Sequence, residues 1–153
     1  MQKASKRKPD PARDFLASAR EAKMEYSRIH RRIAELESQA TKVTSPLSGM
    51  PGGGGGGGME ALWAALADER QNLTLAAEEE LNRYHEVDRF IRKLNDPVHR
   101  IILRLHYLDG LRWPQVQKAM EKEGYYYCER HITRLHGEAL KVARWVWREK
   151  QDE

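Results

Sequence analysis

The stretch Asp96–Leu140, DPVHRIILRLHYLDGLRWPQVQKAMEKEGYYYCERHITRLHGEAL, decides the fold of this chain. Asp96 is a good N-cap, because its carboxylate can accept from the first free amides, and Pro97 has the φ of a first helical residue. Val98, Ile101, Ile102 and Leu105 then recur at helical spacing, which predicts a helix over Val98–Leu108 that stops at Asp109-Gly110. A second element, Trp113–Glu123, turns Trp113, Val116, Ala119 and Met120 inward, carries Pro114 in its first turn and ends at Gly124. A third, Glu129–Arg148, has Ile132, Leu135, Ala139, either Val142 or Ala143, and Val146 on its apolar side. Three helices joined by short turns with glycine predict a helix-turn-helix module over 95–150.

Upstream, Phe15, Ala19, Ala22, Tyr26, Ile29, Ile33, Leu36, Ala40 and Val43 step by 4 and 3 throughout, a heptad seam. At about 1.5 Å per residue, Asp14–Val43 is a helix of roughly 45 Å with one narrow apolar stripe, and such a stripe needs a partner helix. A second long helix follows from about Met59 to Leu94, with Met59, Leu62, Leu66, Leu73, Ala77, Tyr84, Val87, Ile91 and Leu94 on its seam. Trp63 and Phe90 stand beside that seam, and Glu80 interrupts it. Between the two helices lie Pro46, Gly49, Pro51 and the run Gly52–Gly58, a flexible connection. The run is not a phosphate loop, because Met59-Glu60 stands where Lys-Ser/Thr would be needed. The expected architecture is all-α: a flexible basic arm (1–13), an antiparallel, coiled-coil-like hairpin (14–94, connection 45–58) and the helix-turn-helix module (95–150). A two-helix hairpin leaves apolar surface half exposed, so a homodimer is expected through it.

Composition sets the limits. The chain has 153 residues, 40% hydrophobic and 33% charged, enough for one modest core plus an extended appendage. A single cysteine, Cys128, excludes an intramolecular disulfide framework and fits a reducing compartment. No apolar run approaches the roughly 20 residues of a membrane span, and the basic N-terminus lacks the apolar segment of a secretory signal. A cytoplasmic protein with no membrane association is expected. The formal charge of +4 is unevenly spread: residues 1–58 carry +5, 59–96 carry −4 and 97–153 carry +3. Basic ends suit a polyanion, and the acidic middle suits a protein partner.

The outer face of the last helix sharpens that expectation. Glu129, Arg130, His131, Thr133, Arg134 and His136 cluster in its first two turns beside Gly137. Arginine pairs with guanine edges, threonine reaches bases or phosphate, and a glycine lets a helix approach a groove closely. Lys141, Arg144 and Arg148, further along, could meet phosphates, and Arg112 and Lys118 on the preceding elements could clamp the backbone. Double-stranded DNA is the expected partner. The three tyrosines Tyr125–Tyr127 could wedge behind the helix or offer hydroxyls to phosphates. Cys128 stands at the N-cap, where it caps weakly.

LHYLDGLRWPQVQKAM (Leu105–Met120) and CERHITRLHGEAL (Cys128–Leu140) resemble the helices of region 4 of bacterial sigma factors. Together with the segment Ser45–Gly53, SPLSGMPGG, they make the chain similar to the small phage-encoded, sigma-like transcriptional regulators of the RinA/ArpU type and their relatives. The likeness covers residues 15–148. It implies sequence-specific regulation of phage or prophage late genes in the host bacterial cell, with host RNA polymerase as a further contact. Two other readings share these parts: a terminase small-subunit-like DNA-packaging protein, and a structural coiled-coil adaptor. The order of modules disfavours the first.

No enzymatic chemistry is expected, since no Ser-His-Asp or paired-carboxylate arrangement stands out, and neither cofactor nor metal is implied. Cys128, His131 and His136 offer only three ligands, and the two histidines, five residues apart, do not share a helix face.

Overall fold

The computed structural model describes residues 7–44 and 56–153; the first six residues of the expected arm and residues 45–55 of the expected connection lie outside them. The described residues form helices without a strand: α1 (Pro11–Thr44), α2 (Gly56–Arg92), α3 (Pro97–Leu103), one π-helical turn (Arg104–Leu108), α4 (Trp113–Lys122) and α5 (Glu129–Asp152). Helix α1 starts earlier than its apolar pattern suggests. Asp10-Pro11 is a cap-and-proline pair like Asp96-Pro97, and the Arg13 amide donates to Asp10 Oδ1 at 3.3 Å.

The described residues form two compact units, one from 7–21 with 83–153 and one from 22–44 with 56–82, so the division falls inside α1 and α2 rather than at Asn95. In the first unit the apolar stripe at the end of α2 (Val87, Phe90, Ile91), with Leu94 just beyond it, packs with Leu16 and Ala19 of α1. Leu103, Tyr107, Leu108, Ala139, Leu140 and Ala143 complete that cluster. A second cluster of Ile102, Val116, Met120 and Ile132 holds α3, α4 and α5 together. Ala143, fully buried, takes the inward position that the sequence left open, and Val142 is exposed.

The segment Val98–Leu108 was expected to be one regular α-helix, and it is not. Its second half widens into a π turn, closed by the Asp109 amide on the Arg104 carbonyl at 3.0 Å. The wider turn lets Leu103, Tyr107 and Leu108 face one cluster while Ile102 and Leu105 face the other. Gly110 then ends the segment at φ 68°, and Gly124 ends α4 at φ 92°, both conformations that glycine adopts without strain. At the start of α3, Asp96 Oδ1 accepts from the Val98 and His99 amides at 2.8 and 3.3 Å.

The second unit is an antiparallel pair of helical segments. Arg32 reaches Glu69 at 3.1 Å and Arg70 reaches Glu37 at 2.8 Å. Among its described residues Ala22, Ile29, Leu36 and Ala77 are buried, and Met24, Leu62, Trp63, Leu75 and Leu81 stay exposed.

Candidate nucleic-acid interface

Helix α5 owes its orientation to its inner side. Ile132 is fully buried, and Leu135, Tyr125 and Tyr127 pack against the same cluster. Two of the three tyrosines are therefore the wedge behind the helix, while Tyr126, 80% exposed, points to solvent. Cys128 takes an extended N-cap conformation and makes no side-chain capping bond, as its weak acceptor chemistry leads one to expect.

On the opposite side Arg130, Arg134 and Lys141 are exposed, with Glu129 and Glu138 also in solvent. His131 and Thr133 are half-buried at its edges. Arg134 donates to His131 Nδ1 at 3.0 Å, and the Thr133 hydroxyl donates to the Arg130 carbonyl at 2.9 Å. Among the described residues no carboxylate pairs with Arg130, Arg134 or Lys141. Gly137 sits between these cations, and a Cβ built there meets nothing within 4 Å. The fold itself therefore does not require glycine at this position, although glycine weakens a helix by about 1 kcal/mol relative to alanine. On α4, which packs on α5, Arg112 stands at the N-cap and Lys118 in the body, both exposed. The Arg112 amide donates to Gln115 Oε1 at 3.0 Å, which fixes that turn.

His136 does not belong to this face. It is 8% exposed and shares a 3.0 Å hydrogen bond between its Nε2 and the Tyr107 hydroxyl. The rings of His106, Tyr107 and Trp113 surround it, at centroid distances of 5.3, 5.7 and 4.7 Å. His106 in turn stacks on Trp113 at 4.1 Å and bonds through Nδ1 to the Leu111 carbonyl at 3.0 Å. Burial, together with the nearby His106 and Arg13, holds His136 down at about 4, so it is neutral at physiological pH. Burial likewise lowers His106. The expectation of a DNA-facing His136 fails because position 136 is turned about 160° from Arg134, a displacement of 200° at 100° per residue, onto the side held by α3 and α4.

Arg144 is also removed from the free cations. Its Nη2 and Nε lie 2.7 and 2.9 Å from Asp10 Oδ2. Those bonds lower the Asp10 carboxyl below the usual range. Nothing in the spacing of the sequence pairs residues 134 positions apart. The one available signal was the Asp10-Pro11 cap, which ends the arm earlier than expected. Among the described residues no three His, Cys, Asp or Glu side chains converge on a metal site, and no helix is long and apolar enough to cross a membrane.

In comparison with known proteins, the family described as Protein of unknown function (DUF1492) matches residues 42–136. No curated protein and no solved structure matches the chain.

Proposed function

The chain belongs to the DUF1492 family, whose description assigns no activity, and from its C-terminal helices we propose a double-stranded-DNA-binding regulator of transcription. The observation that carries this reading is the outer side of α5. Arg130, Arg134 and Lys141 stand there in solvent without carboxylate partners among the described residues, flanking a glycine that the fold does not demand. The packed opposite side holds that face rigid, so the cost of ordering it does not fall on binding. In this reading α5 enters the major groove with Arg130 and Arg134 at base edges. Thr133, His131 and Glu129 stand at the rim, and Lys141, Arg112 and Lys118 contact phosphates. Gly137 lets the groove wall come close.

The resemblance to sigma region 4 supports assigning the regulated genes to phage or prophage late functions and host RNA polymerase as a further contact. The exposed Leu62, Trp63, Leu75 and Leu81 support pairing of the hairpin with a second copy. Arg130→Ala with Arg134→Ala tests the DNA reading by titration of the purified chain with duplex DNA. Each lost bidentate contact weakens cognate binding by roughly 5- to 150-fold. Affinity and salt slope unchanged in the double variant would overturn the assignment. Gly137→Ala supplies the complementary arm: it stabilises α5 by about 1 kcal/mol while weakening DNA binding.

A further inference from the structure

Beside the C-terminal half of α5, Lys8, Asp10, Arg144, Trp147 and Arg148 line a groove of about 400 Å³. Three cations face one carboxylate there, and Asp10 is fully engaged. Its Oδ1 accepts from the Arg13 amide at the start of α1, and its Oδ2 takes both contacts from Arg144. Asp10 therefore pins the chain two residues from Lys8 against α5. Lys8 and Arg148, with no ion-pair partner among the described residues, keep their charge uncompensated. Pro9 and Pro11 flank the pinned residue and restrict its backbone further.

The helical repeat relates this groove to the face described above. Arg148 follows Arg130 by 18 residues, five turns at 3.6 residues per turn, so the two point the same way along α5. They are separated by about 27 Å at about 1.5 Å per residue. The major groove is only about 12 Å wide. A helix whose first turns reach base edges therefore carries Arg148 beyond the groove and onto the flanking sugar-phosphate backbone. We propose that the Lys8–Arg148 groove is a second, sequence-independent contact site for backbone phosphates of the same duplex, held in place by the Asp10–Arg144 pair. The proposal rests on the reading of α5 as the DNA-entering helix and extends its footprint.

Lys8→Ala with Arg148→Ala in the full chain, titrated against a mixed-sequence 30-base-pair duplex over a range of salt concentrations, tests it. Loss of two phosphate contacts lowers the slope of log K against log salt by about 1.8, at about 0.9 per phosphate. Arg130→Ala with Arg134→Ala runs in parallel. If wild type and that pair show the expected contrast but Lys8→Ala with Arg148→Ala keeps the wild-type slope, the second site is overturned and the α5 reading stands. If wild type binds no duplex, both fall together. Tighter binding to single-stranded RNA of equal length, with the same loss in the Lys8/Arg148 variant, would overturn the assignment to duplex DNA.

Discussion

The unit containing α3, α4 and α5 and the unit of residues 22–82 are both built from amphipathic helix, yet they bury it differently. In the first, Leu103, Ile102, Ile132 and Met120 are wholly enclosed, because each helix meets at least two others. In the second, each segment has one neighbour, and Met24, Leu62, Trp63, Leu75 and Leu81 remain in solvent. The proposed DNA reading needs fixed geometry, which the enclosed unit provides. The proposed pairing needs unspent apolar area, which the open one keeps.

That contrast breaks first in the cores. Leu103→Ala removes a fully buried side chain from a site closed on all sides, so about 4 kcal/mol of stability is lost. Leu36→Ala, at 2% exposure but beside an open groove of about 330 Å³, costs about 2 kcal/mol, since its surroundings already admit water. Hydrogen exchange resolved by segment measures both. Equal losses in the two units would show that the hairpin is as enclosed as the module.

The next effect is confined to the enclosed unit. His136 binds a proton more weakly folded, at about 4, than unfolded, at about 6.5. Its contribution is therefore complete above pH 6.5 and drains away as pH falls toward 4, worth roughly 3 kcal/mol in all. Asp10, lowered by Arg144, loses its own contribution only below the ordinary carboxylate range, so the windows separate. Urea unfolding followed by far-ultraviolet circular dichroism at pH 7.5, 6 and 5 records the loss. An undiminished fall between pH 6.5 and 5 in His136→Phe would assign it to other groups, His106 first, since burial lowers that imidazole into the same window.

What the sequence could foretell follows the same division. Helix content, the Asp96 cap and the Gly110 and Gly124 stops were legible, since each depends on neighbours within a turn or two. The seam of α1 was legible in part: Ala19, Ala22, Ile29 and Leu36 are buried, but so is Leu16, which the heptad pattern left out. The exposed Arg130, Arg134 and Lys141 were legible for the same reason. Asp10–Arg144 and Tyr107–His136 were not, because they join residues 134 and 29 positions apart, which no period encodes. His136 was misread as exposed because it lies among polar residues. The helix turns it beneath Trp113, and a neutral imidazole with a phenol partner is stable there. The π turn escaped notice because Leu103, Tyr107 and Leu108 look surplus to a one-sided helix until a second cluster is there to receive them.

The smallest expected effect lies in the ion pairs of the open unit. Arg32 forks between Glu35 at 3.3 Å and Glu69 at 3.1 Å, and Arg70 meets Glu37 at 2.8 Å. All five side chains keep 44–63% of their surface in water, so solvent screening and the entropy of ordering long side chains cancel most of the attraction. The pairs instead favour one register of the two segments over a slipped one, because a shift of one turn would carry Glu69 and Arg70 away from Arg32 and Glu37. Arg32→Ala accordingly leaves the unfolding midpoint of residues 22–82 where it was, at low and high salt alike. Arg32→Glu with Arg70→Glu, which sets five acidic side chains around the same contact, lowers the midpoint at low salt and recovers as salt is added. A loss in Arg32→Ala as large as that in Leu36→Ala would mean the hairpin is held by its charges, and its apolar seam would then be free to serve a partner entirely.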